Sequence, residues 1–190
     1  PEFEQRFSTG LRFAAYVDSL NVAAEFPGVR GFGFVERVER ADLRVFEAAA
    51  RAEDAPDFKV KTSGDAPDLY VIRFIFPQTS NRAAFGFDVG SEPRRRAAAE
   101  RAAATGSPAI TARLNLVQDE QNRAGFLYFL PAYRPGAPVD TPEQRREALI
   151  GLVYTALIID ELFENLVTTT EGMLDVEVFD GPVVDRESLM

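Results

Sequence analysis

The fold of this chain is decided by the stretch from Phe74 to Tyr133, whose sequence is FIFPQTSNRAAFGFDVGSEPRRRAAAERAAATGSPAITARLNLVQDEQNRAGFLYFLPAY. It predicts a strand, a short strand, a capped helix, two strands with a turn, and a strongly aromatic strand. The helix is the clearest element. Ser91 is placed to cap it, Pro93 lies in its first turn, where the missing N–H costs nothing, and Gly106 ends it. The stretch therefore predicts a small mixed sheet with a helix laid over it.

Several apolar runs predict buried strands around this unit. The aromatic run GFLYFLPAY at residues 125–133 is typical of a strand covered on both faces. Leu69–Phe76 predicts another buried strand, and Val29–Val38 alternates well enough to be a strand. The apolar run from Ala148 to Ile159 is shorter than the roughly 18–20 residues that a membrane helix needs, so it also predicts a buried strand, over 151–159.

The N-terminal residues Glu2–Glu25 predict one long helix, which Pro27 and Gly28 end. At about 100° per residue, its apolar side chains form two separate stripes. The first stripe holds Phe3, Phe7, Leu11 and Ala14, and the second holds Phe13, Tyr16, Val17, Leu20 and Ala24. A helix that is apolar on two sides packs against two partners. These are either two layers of one domain, or its own domain and a second copy of the chain.

Composition excludes several classes of function. The 190 residues carry a net charge of −9 without a clustered basic stripe, which argues against a nucleic-acid partner. The chain has no His and no Cys, which removes the usual general base, the usual zinc ligands and every thiol nucleophile. No carboxylate pair has a spacing that marks catalysis. The sequence therefore predicts a protein that is not an enzyme and holds no metal or cofactor.

The glycines at positions 28, 31 and 33 form a G-x-x-G-x-G pattern, which invites comparison with a dinucleotide-binding loop. The setting is wrong for such a loop, because the glycines lie inside a predicted strand instead of opening a helix. They are better explained by a bulge or a close approach of another backbone.

The polar, proline-rich segment RPGAPVDTPEQRRE at residues 134–147 predicts a loop between two halves of the chain. After it we expect a short helix capped by Thr141, the strand at 151–159, a helix that Asp160 begins, and a last strand over Leu174–Phe179. The chain begins with Pro1, which suggests that it is part of a longer protein.

Four arginines crowd the predicted helix of the central stretch, at positions 94, 95, 96 and 101. Three of them lie in its first turn, where positive charge opposes the helix macrodipole. One interpretation is a solvated face paired with Glu92 and Glu100. The other is contact with an anionic ligand or partner.

Taken in order, these motifs resemble the CHASE domain, a sensor module of receptor histidine kinases, nucleotide cyclases and diguanylate cyclases. The resemblance rests on FPGVRGFGFVERV (26–38), RADLRVFEAAA (40–50), FIFPQTSNRAAFGFDVGSEPRRRAAAERAAATGSPAIT (74–111), GFLYFLPAYR (125–134), TPEQRREALIGLVYTALIIDELFENL (141–166) and LDVEVFDG (174–181).

The resemblance implies an α+β fold with mainly antiparallel sheets. A long stalk helix (1–26) would carry a membrane-distal PAS-like subdomain (27–136) that binds ligand. A membrane-proximal PAS-like subdomain (137–190), lacking its last strand, would follow. The resemblance also implies a periplasmic or extracellular location, flanking membrane helices outside this chain, and homodimers through the N-terminal helix.

The resemblance further implies a ligand site in the distal subdomain. Asp88 matches the acidic residue that binds the adenine edge of the hormone in plant cytokinin receptors, although an Asx turn before Gly90 would explain it equally well. The family's backbone contact falls at Ile110, and its hydroxyl near Gln121, where residue type and loop length both differ. The apolar wall, which is equally explained as plain core, would come from Phe85, Phe87, Phe126, Tyr128 and Leu130.

The sequence thus predicts a small-molecule sensor of a membrane receptor, whose candidate ligand is an adenine-like or cytokinin-like compound and whose output is a kinase or a cyclase. One alternative is a dimerisation and spacer module whose pocket is filled by its own aromatic side chains. The other is a carboxylate-based hydrolase, which would require two convergent carboxylates in an open cleft.

Overall fold

A computed structural model of the chain describes residues 15, 17, 19, 25–53, 55–119, 121–163, 176–181, 184–186 and 189. Within these residues the helices are α1 (Leu43–Glu53), α2 (Pro93–Thr105) and α3 (Pro142–Ala148). The strands are β1 (Val29–Glu39), β2 (Asp68–Phe76), β3 (Ala109–Ile110), β4 (Leu114–Asn115), β5 (Ala124–Tyr133) and β6 (Leu149–Ile158). Short 3₁₀ turns occupy Arg40–Asp42, Thr79–Asn81 and Val89–Ser91.

The strands form one six-stranded sheet in the order β2-β1-β6-β5-β3, with β4 also paired to β5. Each of these strand pairs is antiparallel. Helices laid on an antiparallel sheet make an α+β fold, as predicted. The apolar run near the C-terminus forms β6, which lies at the centre of the sheet between β1 and β5.

Helix α2 covers one face of the sheet with a stripe of alanines. Ala98, Ala99, Ala102 and Ala103 are buried and share a core cluster with side chains of β5 and β6 such as Phe129. Small side chains at i, i+1, i+4 and i+5 let the helix backbone approach the strands closely. Helix α1 packs on the opposite face through Leu43, Phe46 and Ala50, the inner side predicted for it. Its partners Leu69 and Val71 alternate along β2 with Tyr70 and Ile72, which belong to the α2 face.

The other face of the sheet is covered at β1 and β2 by the N-terminal helix. Val17 is 3 % exposed and packs against Val29, Phe32, Phe74 and Phe76. Residues 15, 17, 19 and 25 are helical, and the rest of the helix predicted over 2–25 lies outside the described residues. Val17 therefore packs on the domain's own sheet.

The glycines of β1 have the role predicted for them. A Cβ on Gly31 would lie 2.7 Å from the carbonyl oxygen of Phe76, and one on Gly33 would lie 2.2 Å from the ring of Tyr154. Both distances are too short for any side chain. The β1–β2 register also shifts between Phe34 and Val35, which is the predicted bulge.

The helix ends correct one prediction. Ser91 does not cap α2, because its hydroxyl donates to the carbonyl oxygen of Asp88 at 2.7 Å. Glu92 caps the helix instead, accepting from the N–H groups of Arg94 and Arg95 at 3.0 Å. Gly106 ends it as predicted, with φ of +72°. Thr141 caps α3 as predicted, in a capping box with Gln144.

Two strand predictions were wrong in part. On β5, Tyr128 is 37 % and Leu130 is 43 % exposed, so the aromatic strand is fully covered on only one face. Residues 176–178 are not in a strand, and Phe179 forms a single bridge with Leu189. The predicted helix after β6 is described at 159–163, and the part of it over 164–166 lies outside the described residues.

The predicted division at residue 136 is followed by a strand that joins the same sheet. β6, on the C-terminal side of that boundary, pairs with β1 and β5 from the N-terminal side. The described residues therefore form one sheet across the boundary. The division into two PAS-like subdomains stays a prediction.

Candidate ligand-binding site

A small internal cavity lies between the α2 face of the sheet, the start of α2 and the loop between β4 and β5. Its volume is about 10 Å³, close to the space that one water molecule needs. Its lining includes Ile72, Phe87, Arg95, Gln118, Leu127 and Tyr154. Most of these side chains are apolar, and the polar ones come from three different elements.

Tyr154 contributes a buried hydroxyl to this site. Its ring extends from β6 over Gly33 of β1, which has no side chain to block it. Tyr154 is 2 % exposed, and its hydroxyl finds no hydrogen-bond partner among the described residues. Burial raises the pKa of Tyr154 well above its usual 10.0, so the hydroxyl keeps its proton and remains a donor. A buried hydroxyl without a partner is costly unless something else satisfies it.

Arg95 contributes a buried cation. It is the third residue of α2 and is 7 % exposed. One guanidinium nitrogen (Nη2) donates to the carbonyl oxygen of Asn115 at 2.8 Å, and the guanidinium lies 5.5 Å from the ring centroid of Phe87. The nearest carboxylate, on Glu92, is 3.6 Å from Nη1, which is too long for a hydrogen bond. Desolvation by burial lowers the pKa of Arg95, although arginine stays charged in proteins.

The interpretation as a solvated face was wrong for Arg95, because its side chain is buried, but the predicted pairing with Glu92 is present at 3.6 Å. The interpretation fits the neighbours of Arg95. Arg94 is exposed and donates to the carbonyl oxygen of Arg113. Arg96 lies 3.4 Å from Asp68 and 3.1 Å from Glu100, so carboxylates meet its charge.

Asp88 is buried, 1 % exposed, and its carboxylate is used by the protein itself. Oδ1 accepts from the backbone N–H groups of Tyr70 and Gly90, both at 2.9 Å, and Oδ2 accepts from the hydroxyl of Thr62 at 2.8 Å. The bond from Gly90 is the Asx turn that the sequence allowed. Asp88 is not among the residues that line the cavity. A role for Asp88 in ligand binding stays a prediction.

The structure brings only one of the other predicted site residues to this cavity. Phe87 lines it, whereas Phe85 packs edge to face on Phe58 at 5.1 Å and lines a second cavity. Gln121 is exposed in the turn before β5. The binding roles of these residues stay predictions.

The remaining predicted site residues lie on the opposite face of the sheet. Ile110, 51 % exposed, pairs with Tyr128, and Tyr128 pairs with Thr155, which in turn lies opposite Phe32. Residues directly opposite each other share a face, and Phe32 is on the face that Val17 covers. By the alternation of side chains along β5, Phe126 and Leu130 share that face.

The second cavity is larger, about 50 Å³, and is lined by Arg73, Phe74, Phe85 and others. The positive charge of its arginine, Arg73, is already compensated by a carboxylate. Arg73 donates to Glu53 at 2.6 Å, and its guanidinium lies 4.5 Å from the ring centroid of Phe74 and 5.3 Å from that of Phe58. The smaller cavity is the better candidate site. It is lined by Tyr154, whose buried hydroxyl has no partner among the described residues, and by Arg95, whose guanidinium lies 3.6 Å from Glu92 without a hydrogen bond to it.

Arg95 could have been found from the sequence, and Tyr154 could not. Arg95 precedes Ala98, Ala99 and Ala102 by three, four and seven residues, so it lies on the buried stripe of α2. The long-range pairing of β6 with β1 places Tyr154 over Gly33, and no local pattern signals that pairing.

A charged cluster connects the loop that walls the cavity to the helix after β6. Asp119 accepts from Arg123 at 2.6 Å, and Arg123 donates to Glu161 at 2.5 Å. Arg30 of β1 donates to the same oxygen of Glu161. Hydrogen bonds from Arg123 lower the pKa of Asp119. The loop at 116–123, β1 and the helix at 159–163 therefore meet at Glu161.

Metal-binding clusters and membrane-spanning helices are the two remaining features that bear on function. In the parts of the chain that the structure describes, no group of three or more acidic residues is arranged to hold a metal ion. Over the same residues, no helix has the length and apolar character needed to cross a membrane.

The chain is similar to a known domain family and to a curated protein. The family model of the CHASE domain matches residues 9–190. A curated relative, the hybrid signal transduction histidine kinase A of Dictyostelium discoideum, is 25 % identical over 170 residues. The match covers 80 % of this chain and 8 % of that kinase, so the chain spans only a small part of its relative's length.

These matches confirm the resemblance seen in the sequence. A CHASE domain is a sensor domain of signalling receptors, so the prediction that this domain is not an enzyme is also confirmed. The match extends over almost the whole sequence, and the chain therefore belongs to the CHASE domain family.

Proposed function

We propose that this domain binds a small molecule in the cavity between the sheet and α2 and passes that event to the receptor of which it is part. The observation that carries the proposal is that Tyr154, whose buried hydroxyl has no partner among the described residues, lines the same cavity as Arg95. Ligand sites are mostly apolar with a few convergent polar groups, and this lining has that character.

Binding requires the cavity to widen. At about 10 Å³ it holds no more than one water-sized molecule. Its outer wall is formed by Leu116, Val117 and Gln118, in the loop between β4 and β5, and Val117 is 40 % exposed. This loop is the wall that can move, since loops are more mobile than the strands they connect.

Movement of this loop reaches the helix at 159–163 through the cluster around Glu161. Arg123 lies at the end of the same loop and donates to Glu161. A ligand that displaces the loop would weaken or rebuild that bond and so shift the helix relative to β1. This gives the differential contact that any ligand-driven change of state requires.

The receptor context completes the proposal. As in the family generally, the domain would lie outside the cytoplasm, with membrane helices beyond this chain and a kinase or cyclase as output; the relative named as a histidine kinase favours a kinase. Dimers would form through the N-terminal helix. This rests on the two apolar stripes of the sequence, of which Val17 packs on the domain's own sheet.

The second candidate function is a spacer without ligand. The small volume of the cavity favours it, because about 10 Å³ leaves space for no more than one water-sized molecule. The two candidates differ in whether any small molecule stabilises the domain.

The test is a thermal-shift screen of the purified chain against adenine derivatives, other purines, amino acids and small organic acids. A ligand at about 100 times its Kd stabilises by about 2.7 kcal/mol, which raises the Tm by a few degrees. Ala84 is buried at 1 % exposure and lines the cavity, so Ala84→Val should fill the site and remove the shift.

The matched control is Ala50→Val, because Ala50 is equally buried at 1 % exposure but lies on α1 in a separate core cluster. The shift should survive in this variant. A shift that also survives Ala84→Val would move the site elsewhere. If no compound raises the Tm of the parent chain, the spacer function is supported instead.

A further inference from the structure

Four features of the cavity bear on the chemical class of its ligand. Its lining includes the side chains of Arg95, Tyr154 and Gln118 and is otherwise apolar. Arg95 can only donate hydrogen bonds, and the hydroxyl of Tyr154, which has no partner among the described residues, has a proton free to donate. A ligand that matches them must present acceptors.

Among the described residues, one carboxylate meets the charge of Arg95, and it does so in a long ion pair. Glu92 lies 3.6 Å from Nη1 of Arg95, which leaves no hydrogen bond between the two side chains. The oxygens of Glu92 also accept the backbone N–H groups of Arg94 and Arg95 as the cap of α2. Within the same residues, the guanidinium of Arg95 donates a hydrogen bond to the uncharged carbonyl oxygen of Asn115.

The position of Arg95 adds to this positive potential. It lies in the first turn of α2, at the positive end of the helix macrodipole. A cation is unfavourable there, and burial in a mostly apolar cavity removes the water that would solvate it. An anion in the cavity would relieve both effects.

We propose that the ligand of this site carries a carboxylate, which the guanidinium of Arg95 and the hydroxyl of Tyr154 bind inside the cavity between the sheet and α2. This inference rests on the proposed function and names the chemical class of its ligand. A guanidinium matches a carboxylate with two parallel N–H bonds, and a neutral hydroxyl adds a third donor. The apolar lining, with Phe87, Leu127 and Ile72, holds the rest of the molecule.

This class differs from the one that Asp88 would select. A carboxylate at that position would accept N–H groups from a flat heterocycle, but the oxygens of Asp88 already accept three hydrogen bonds within the protein. The cavity is lined instead by Arg95, which only donates, and by Tyr154, whose hydroxyl has a proton free to donate. A ligand of this cavity would therefore differ in class from one that Asp88 selects.

The test is a saturation-transfer NMR titration of the purified chain with two matched series. Acetate, propionate and butyrate are the acids, and acetamide, propionamide and butyramide are their uncharged counterparts; adenine is included as a neutral heterocycle. The acids should bind saturably and the amides and adenine should not. Because a hydrogen bond to a charged group is lost, Tyr154→Phe should weaken acid binding about tenfold or more, and Arg95→Gln should abolish it.

Two further variants keep the result interpretable. Arg94→Gln changes an exposed arginine of the same helical turn and should leave acid binding unchanged. If Arg95→Gln does not fold, Tyr154→Phe decides alone, because it removes only a hydroxyl that has no partner among the described residues.

The outcomes separate this inference from the proposed function. If the amides or adenine bind as well as the acids, and Tyr154→Phe weakens them, the carboxylate class is wrong while the cavity remains the ligand site. The inference would also be overturned if Tyr154→Phe and Arg95→Gln left acid binding unchanged. If none of these probes binds and the broad thermal-shift screen has no hit, the inference and the proposed function fall together.

Discussion

Oδ1 of Asp88 accepts the backbone N–H of Tyr70 at 2.9 Å, a bond between residues 18 positions apart that are both almost fully buried. It fixes the segment before α2 to strand β2, beside the single antiparallel bridge between Val71 and Asp88. The same oxygen holds the N–H of Gly90. Asp88 is thus a structural connection between the sheet and the entry to α2.

Asp88→Ala should therefore lower the free energy of unfolding by about 2–4 kcal/mol, because it leaves two buried backbone N–H groups without an acceptor. Asp88→Asn keeps an oxygen for both groups, so its loss should be nearer to 1 kcal/mol. Urea denaturation of the three proteins measures this order. If Asp88→Ala were as stable as the parent chain, the structural role would be refuted and the binding role would gain weight.

Tyr154→Phe should keep or raise stability. The substitution removes a buried hydroxyl that finds no partner among the described residues, and an unsatisfied polar group costs about 1–3 kcal/mol. We expect a gain of up to about 1 kcal/mol in urea denaturation. Tyr133→Phe is the matched control, because the Tyr133 hydroxyl donates to the carbonyl oxygen of Ala103 at 2.8 Å and its removal should destabilise. A clear loss in Tyr154→Phe would mean that the hydroxyl has a partner.

Much of this fold follows from local sequence patterns. Apolar runs predicted β1, β2 and β6, and Pro93 and Gly106 bracketed α2 correctly, because these signals depend only on nearby residues. The predicted cap was one position too early, since Ser91 is of a residue type that commonly caps helices. In the structure the Ser91 hydroxyl donates to the carbonyl oxygen of Asp88, and Glu92 caps α2 instead.

The candidate site depended on pairings that local patterns do not contain. Tyr154 meets Gly33 only because β6 pairs with β1, about 120 positions away in the chain. The exposure of Tyr128 and Leu130 could not be predicted from local patterns either, since their side chains are as apolar as those of a buried strand. Arg95 was the exception, because its helical position relative to the alanine stripe was visible in the sequence.

Glu36→Gln should raise stability at neutral pH. Burial raises the pKa of Glu36 above its usual 4.5, with Glu53 adding to the effect and Arg73 opposing it. A group whose folded pKa is raised stabilises fully below its unfolded pKa and loses that contribution as pH rises through the folded value. The parent should therefore lose stability just above pH 4.5, and the glutamine variant should lose less.

At pH 7 the gain from Glu36→Gln should be a few tenths to about 1 kcal/mol, measured by urea denaturation across pH 4 to 7. Glu39→Gln is the control, because Glu39 is an exposed residue of the same strand. Equal pH profiles for both variants would contradict the burial of a charge at position 36.

The contribution of Tyr70 to stability should become measurable at alkaline pH. Burial raises its pKa from 10.0 to about 12, helped by Asp68 and Glu100 and opposed by Arg37 and Arg96. The unfolded chain releases this proton near pH 10 while the folded chain retains it, so stability falls between pH 10 and 12. The loss attributable to Tyr70 is on the order of 2–3 kcal/mol. Tyr70→Phe should flatten this decline and Tyr128→Phe, at an exposed position, should not; identical slopes in both variants would refute the assignment.

Glu161→Gln tests the cluster that joins the cavity loop to the helix after β6. Glu161 receives hydrogen bonds from Arg30 and Arg123, which approach it from β1 and from the loop. The glutamine keeps one acceptor oxygen but loses the charge that attracts both guanidinium groups. Because the cluster is a network and its side chains are partly shielded, we expect a loss of about 1 kcal/mol in urea denaturation, reduced by added salt. Glu100→Gln removes an exposed carboxylate paired only along its own helix with Arg96 at 3.1 Å, and should have almost no effect. If the two variants lose the same small amount at every salt concentration, Glu161 does not hold the loop to the helix, and the proposed path from the cavity to residues 159–163 fails with it.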